Sequence, residues 1–129
     1  MRLQFVQRAA ALALALPLAA CGAVSPAATR ETDRLAVESV QVRIMESFPV
    51  QVSAQVKGHL RDGCESLAGT TQSRTGNTVS VTIATDRETS LVCTQALVPV
   101  EESVRLDGAF PAGTYVVRVN GVEQTFRVD

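Results

Sequence analysis

The sequence predicts an all-β fold, an antiparallel sandwich of about seven short strands. Three observations predict it. Beyond residue 33, apolar and polar residues alternate with period two in one segment after another. Near the C-terminus two such runs are joined by Asn120-Gly121, which favours positive φ at both central positions of a type I′ hairpin turn. No helix-period segment and no internal repeat follows.

The chain begins differently. Met1 to Arg8 carries Arg2 and Arg8, Ala9 to Leu18 is apolar but for Pro17, and the small residues Ala19 and Ala20 precede Cys21. This is the layout of a helical secretory signal peptide. Its apolar run is about half of the ~20 residues a membrane-spanning helix needs. Arg2 and Arg8 are not adjacent, so the signal is not of the twin-arginine type.

Leu18-Ala19-Ala20-Cys21 resembles the lipobox of bacterial lipoproteins, with Cys21 as the first mature residue. The resemblance implies removal of residues 1–20, a diacylglyceryl or acyl lipid on Cys21, and a membrane as partner through that anchor. Gly22 rather than Asp after the Cys implies, by the same likeness, the periplasmic face of the outer membrane in a host with two membranes. The resemblance implies an address in the cell envelope and says nothing of the cargo's work.

Residues 21–33 read as the lipidated Cys and a flexible tether of Ala, Ser, Pro, Thr and charge. The domain is then expected over 34–129. Val40, Val42 and Ile44 alternate with Gln41, Arg43 and Met45 as a first strand. Ser47-Phe48-Pro49 breaks it. Val50, Val52, Ala54 and Val56 form a second, extending toward Leu60, and Asp62-Gly63 is a turn directly before Cys64. Glu65 to Thr75 is a Ser/Thr-rich third strand, ended by the turn Thr75-Gly76-Asn77. Val79, Val81 and Ile83 mark a β-branched fourth. Leu91 to Leu97 reads as a short helical turn or irregular chain. Pro99 marks an edge or a strand start, and Val100, Glu102, Val104 and Leu106 follow as a fifth strand. Tyr115–Val119 and Val122–Val128 complete the hairpin.

Cys64 and Cys93 are an even pair in an exported domain once Cys21 is lipidated, and are expected to form a disulfide. Phe110-Pro111-Ala112-Gly113-Thr114-Tyr115, running into a strand, is similar to the entry to the penultimate strand of immunoglobulin-like and fibronectin-like modules. That likeness implies an immunoglobulin-like sandwich in which the Tyr115 ring packs and its hydroxyl bonds nearby backbone. The Cys pair departs from the immunoglobulin pattern, since Cys64 falls at a turn and the chain has no Trp. Ser47-Phe48-Pro49-Val50, Asp62-Gly63-Cys64 and Ala112-Gly113-Thr114-Tyr115 are also similar to uncharacterised exported bacterial domains, a likeness that implies no activity.

The residues point away from chemistry. Removing Arg2 and Arg8 from twelve basic residues leaves ten against thirteen acidic ones, with no basic patch for nucleic acid. His59 is the only histidine. With Asp62 and a Ser it could form a relay, but no nucleophile motif accompanies it, and a strand-end histidine is expected. A copper centre needs two His and a free thiolate, so no metal site is expected, and Met45 is assigned to packing. Glu101 and Glu102 point to opposite faces of a strand and make a poor acid–base pair. Glu46, Glu65, Asp86 and Glu88 are read as solvated charge rather than calcium ligands. Phe48, Phe110, Tyr115 and Phe126 are all assigned to the core, leaving no stacking platform for glycans or single strands.

The expectation is a non-enzymatic envelope lipoprotein with no cofactor besides its lipid, acting as an interaction or structural module on an envelope protein. The alternative is a small protease inhibitor presenting Ser47–Pro49, Asp86–Ser90 and Gly108–Gly113 at one end.

Overall fold

A computed structural model describes Gly22 and residues 29–129. The signal sequence 1–20, the lipobox through Cys21 and residues 23–28 of the expected tether lie outside the described residues.

Among the described residues, eight strands build two stacked sheets: β1 (Arg30–Arg34), β2 (Ala36–Met45), β3 (Gln51–Leu60), β4 (Glu65–Thr75), β5 (Thr78–Glu88), β6 (Val98–Arg105), β7 (Gly113–Val119) and β8 (Val122–Val128). One sheet runs β2-β3-β6. The other is centred on β5, with β4 along one edge and β1, then β7 and β8, on the other. The all-β sandwich is as the sequence predicts.

The alternating positions meet between the sheets. Val52, Ala54 and Val56 from β3 face Val79, Val81 and Ile83 from β5 and Val117 and Val119 from β7, all nearly free of solvent. Burying such side chains contributes roughly 1.5–3 kcal/mol each and dominates the stability of the domain. Phe110, Tyr115 and Phe126 close one end of this core, with ring centroids 5.3–6.0 Å apart.

One strand is added to the expected sandwich and two expectations are corrected. The described residues hold eight strands where about seven are expected, the added one being Arg30–Arg34, which pairs antiparallel with Ala84–Glu88. Strand structure is therefore present within the stretch read as tether, at Arg30–Asp33. Every residue of β1 is exposed, so it carries no apolar alternation to betray it. The sheets are not wholly antiparallel: Thr78–Val81 of β5 pairs in parallel with Val116–Val119 of β7. β1 and β7 share one edge of β5, each covering half of it, and neither could pair along its full length.

The junction between those halves is closed by one side chain. Asn120 has φ 46° and Gly121 φ 93°, as the hairpin turn requires. Its Oδ1 accepts from Ile83 N (3.0 Å), and its Nδ2 donates to Leu35 O (2.9 Å) and Ile83 O (3.0 Å). Asn120 thus satisfies the backbone left open at Ile83, between the end of β1 at Arg34 and the end of β7 at Val119.

Candidate functional site

The sandwich has two ends. Strand register puts the Ser47–Pro49 loop, the Thr75–Asn77 turn and the Gly108–Gly113 segment at one, and the Arg61–Cys64 turn, the Glu88–Leu97 loop and Thr29 at the other.

At the first end two loops converge. Ser47 N donates to Met45 O and Ser47 Oγ to Pro49 O, both at 2.8 Å, so the Ser47–Pro49 loop is tied to itself. Phe48 stands out from it with 103% of its surface exposed, which corrects its assignment to the core. The opposing loop is clamped from two sides. Tyr115 Oη donates to Pro111 O at 2.5 Å while its ring packs inside, the role implied by the immunoglobulin-like resemblance. Arg74 Nη1 donates to Ala109 O at 2.7 Å, and its guanidinium carbon lies 4.7 Å from the Phe110 centroid and 5.4 Å from that of Tyr115. Such cation–π contacts are worth about 0.5–2 kcal/mol each. Between the loops lies an apolar groove of about 380 Å³ lined by Phe48, Pro49, Val50, Phe110 and Pro111 among others. It adjoins a second depression of about 290 Å³ that reaches Gln51 and Arg105. Large apolar side chains held exposed on braced loops offer binding surface at little ordering cost.

At the second end Cys64 and Cys93 form the expected disulfide, their Cα atoms 5.4 Å apart. Gly63 N donates to Thr94 O at 3.1 Å beside it. Asp62 is buried, accepting from Cys64 N at 2.9 Å and from Arg87 Nε and Nη2 at 2.7 Å. The Arg87 guanidinium holds the Asp62 carboxyl below the usual carboxylate range, against the opposing pull of burial. Buried Glu65 accepts from Thr85 Oγ1 at 2.7 Å and from Arg61 N at 2.5 Å. Asp62 Oδ and the two Sγ atoms lie within 4.8 Å of one another, but the sulfurs are bonded to each other and the carboxylate to Arg87. That donor set does not suit a metal ion, which takes thiolates rather than disulfide sulfur.

The other candidate residues are dispersed. His59 Nδ1 lies 2.9 Å from Glu38 Oε1, while Asp62 is turned to Arg87, so the two form no relay. Asp86 accepts from Thr32 and Glu88 pairs with Arg30, while Glu46 lies at the far end by Ile44 and Val50; with Glu65 they do not converge. Glu101 reaches Lys57 at 3.1 Å, and Glu102 lies half-buried on the other face. Met45 is exposed rather than packed. Asp86–Ser90 is at the opposite end from Ser47–Pro49 and Gly108–Gly113, so only two of the three loops expected together meet. Among the described residues, every buried side-chain nitrogen and oxygen has a hydrogen-bond partner.

Sequence reasoning passed over Arg74 and the exposed Leu91, Val92 and Leu97. Arg74 gave no signal, because its partners are far along the chain. The apolar trio was visible as an uncharged stretch, but its exposure was not.

Residues 54–128 match the ORF11 beta-sandwich domain, from the middle of β3 to the end of β8. The chain is similar to an "Uncharacterized 10.2 kDa protein in HgiCIIM 5'region" of Herpetosiphon aurantiacus, 33% identical over 92 residues that cover 71% of this chain and 98% of the relative. The "Uncharacterized 10.2 kDa protein in HgiBIM 5'region" of the same organism is 30% identical over 82 residues, covering 64% of this chain and all of the relative. No solved structure matches the chain.

Proposed function

The chain belongs to the ORF11 beta-sandwich domain family, and from that premise we propose that it is a lipid-anchored, non-catalytic binding module of the bacterial cell envelope. The lipobox resemblance of Leu18-Ala19-Ala20-Cys21 supports the anchor, and Gly22 supports the outer membrane in a two-membrane host. The observation that carries the binding role is the convergence of Ser47–Pro49 and Gly108–Gly113 around an apolar groove, with Phe48 fully exposed. A side chain of that size left in water on a self-bonded loop contributes nothing to the core and is suited to a partner's apolar pocket. The partner is an envelope protein. The dispersal of His59, Asp62 and the carboxylates supports a role without catalysis.

The test is co-purification from membranes. The wild-type chain is expected in the membrane fraction with a bound envelope protein. Cys21→Ala is expected to leave that fraction or stay unprocessed, and Phe48→Ala to stay anchored but lose the partner. Unchanged processing and retention of Cys21→Ala would refute the anchor, and an unchanged partner profile for Phe48→Ala would refute the site.

The self-bonded Ser47–Pro49 loop also favours a second reading, a protease inhibitor that inserts Phe48 into an enzyme's apolar specificity pocket. Two loops, not three, would then make the contact. Inhibition of envelope proteases that Phe48→Ala abolishes would select this reading over the first.

A further inference from the structure

The loop from Thr89 to Leu97 contains no charged residue. On it Leu91 and Leu97 are each 62% exposed and Val92 104%. We infer that this loop is a membrane-contacting surface, with Leu91, Val92 and Leu97 seated at the headgroup–acyl boundary of the bilayer that holds Cys21. The inference rests on the lipid anchor proposed above.

Geometry selects the bilayer as occupant. Thr89 N and Oγ1 both donate to Thr29 O, at 3.0 and 2.7 Å, so the chain leaves toward Cys21 beside this loop. Seven residues lie between Cys21 and Thr29, and the eight steps from one to the other reach at most about 28 Å at full extension. The eleven residues of β5 make the domain about 33 Å long between its ends. The tether is thus too short for the Phe48 end to rest on the same bilayer, and it brings the Leu91 end toward the bilayer.

The loop is also built for the contact. The Cys64–Cys93 bond and the Gly63–Thr94 hydrogen bond hold it to the neighbouring turn, so little order is lost on docking. The carboxylates of this end are each engaged by an arginine, Glu88 by Arg30, Glu31, Asp33 and Glu65 by Arg61, and Asp62 by Arg87, but five carboxylates on three arginines leave it net negative, so the apolar side chains rather than charge attraction carry the contact. Exposed apolar side chains on a braced loop beside the anchored chain fit the interfacial zone of a membrane.

The chain has no tryptophan, so one introduced indole reports alone. Full-length Val92→Trp and Phe48→Trp would be purified from membranes in detergent. Intact mass would be taken, and each reconstituted into phosphatidylethanolamine–phosphatidylglycerol vesicles with and without brominated acyl chains. Both positions are fully exposed, so neither change disturbs the core. The Val92→Trp emission is expected to shift to the blue on vesicles and to be quenched by the brominated lipid, while Phe48→Trp shows neither. A solvent-like, unquenched Val92→Trp indole on vesicles that hold acylated protein would overturn the loop contact and leave the anchor standing. A Cys21 mass without lipid would overturn the anchor and the contact with it. A blue shift that grows with protein concentration in the absence of vesicles would assign the surface to a second copy instead.

Discussion

Asn120 does two jobs with one side chain, and they can be separated. It adopts the positive φ of the hairpin turn, and its amide closes the junction of β1, β5 and β7. Asn120→Gly keeps the first and loses the second, leaving the Ile83 N–H without its partner, at a cost of about 1–3 kcal/mol. Asn120→Ala loses both and adds about 1–2 kcal/mol for the left-handed backbone. Urea denaturation is expected to rank wild type above Asn120→Gly and that above Asn120→Ala; equal stability of all three would contradict the junction role. The turn was legible from the Asn-Gly dipeptide. The junction was not, because it joins residues 35, 83 and 120, whose proximity only the fold creates. Tyr115 was legible in both ring and hydroxyl, since its local motif fixes them. Asp62 makes a pH prediction. Its carboxyl is depressed by Arg87 in the folded state, so it contributes stability that is fully present above the unfolded value of about 4 and is lost as pH falls through the lower folded value. Thermal melts below about pH 4 are expected to fall more steeply for wild type than for Asp62→Asn, which is less stable at neutral pH. Parallel pH profiles would contradict it.

Among elements, the strands that read most plainly are those whose faces differ. β3, β5, β7 and β8 each present one buried row, and period two exposes that row in the sequence. β4 read at its observed bounds from its Ser/Thr-rich run and closing turn, while β1 was missed, and neither shows a buried row for one shared reason. They flank a five-stranded sheet covered by only three strands opposite, so most of their residues stay exposed. The exposed edges are blunted against pairing with other chains. β4 is broken by a bulge at Gly69, which has φ 138°, and β6 carries Pro99. β2 bulges between Val37 and Ser39, where Gly58 of β3 lies against the Ala36 carbonyl so closely that any Cβ would strike backbone. Gly58→Ala is expected to destabilise the domain by about 1–3 kcal/mol, as overpacking of a filled interior does. Unchanged thermal stability would show that β2 can move aside. The disulfide closes a loop of 29 residues, and its removal by Cys64→Ser with Cys93→Ser is expected to cost roughly 3–4 kcal/mol.

Over residues 29–129 the sandwich is a short rod with different ends. One end carries the disulfide, the paired charges and the exit of the chain toward Cys21. The other carries Phe48 and its groove, held by Ser47, Arg74 and Tyr115. An anchored domain built this way presents the Phe48 end away from its own membrane. The fold class and the disulfide were legible because they depend on local pattern and cysteine count. The polarity of the rod was not, because it depends on which loops share an end. Asp86–Ser90 and Ser47–Pro49 look alike as loops and lie at opposite ends. The most direct test places a photo-crosslinking phenylalanine analogue at Phe48 in living cells, with the same analogue at exposed Thr71 of β4 for comparison. The account predicts one dominant envelope-protein adduct from position 48 and none of it from position 71. Identical adducts from both positions, or no adduct from position 48, would contradict it.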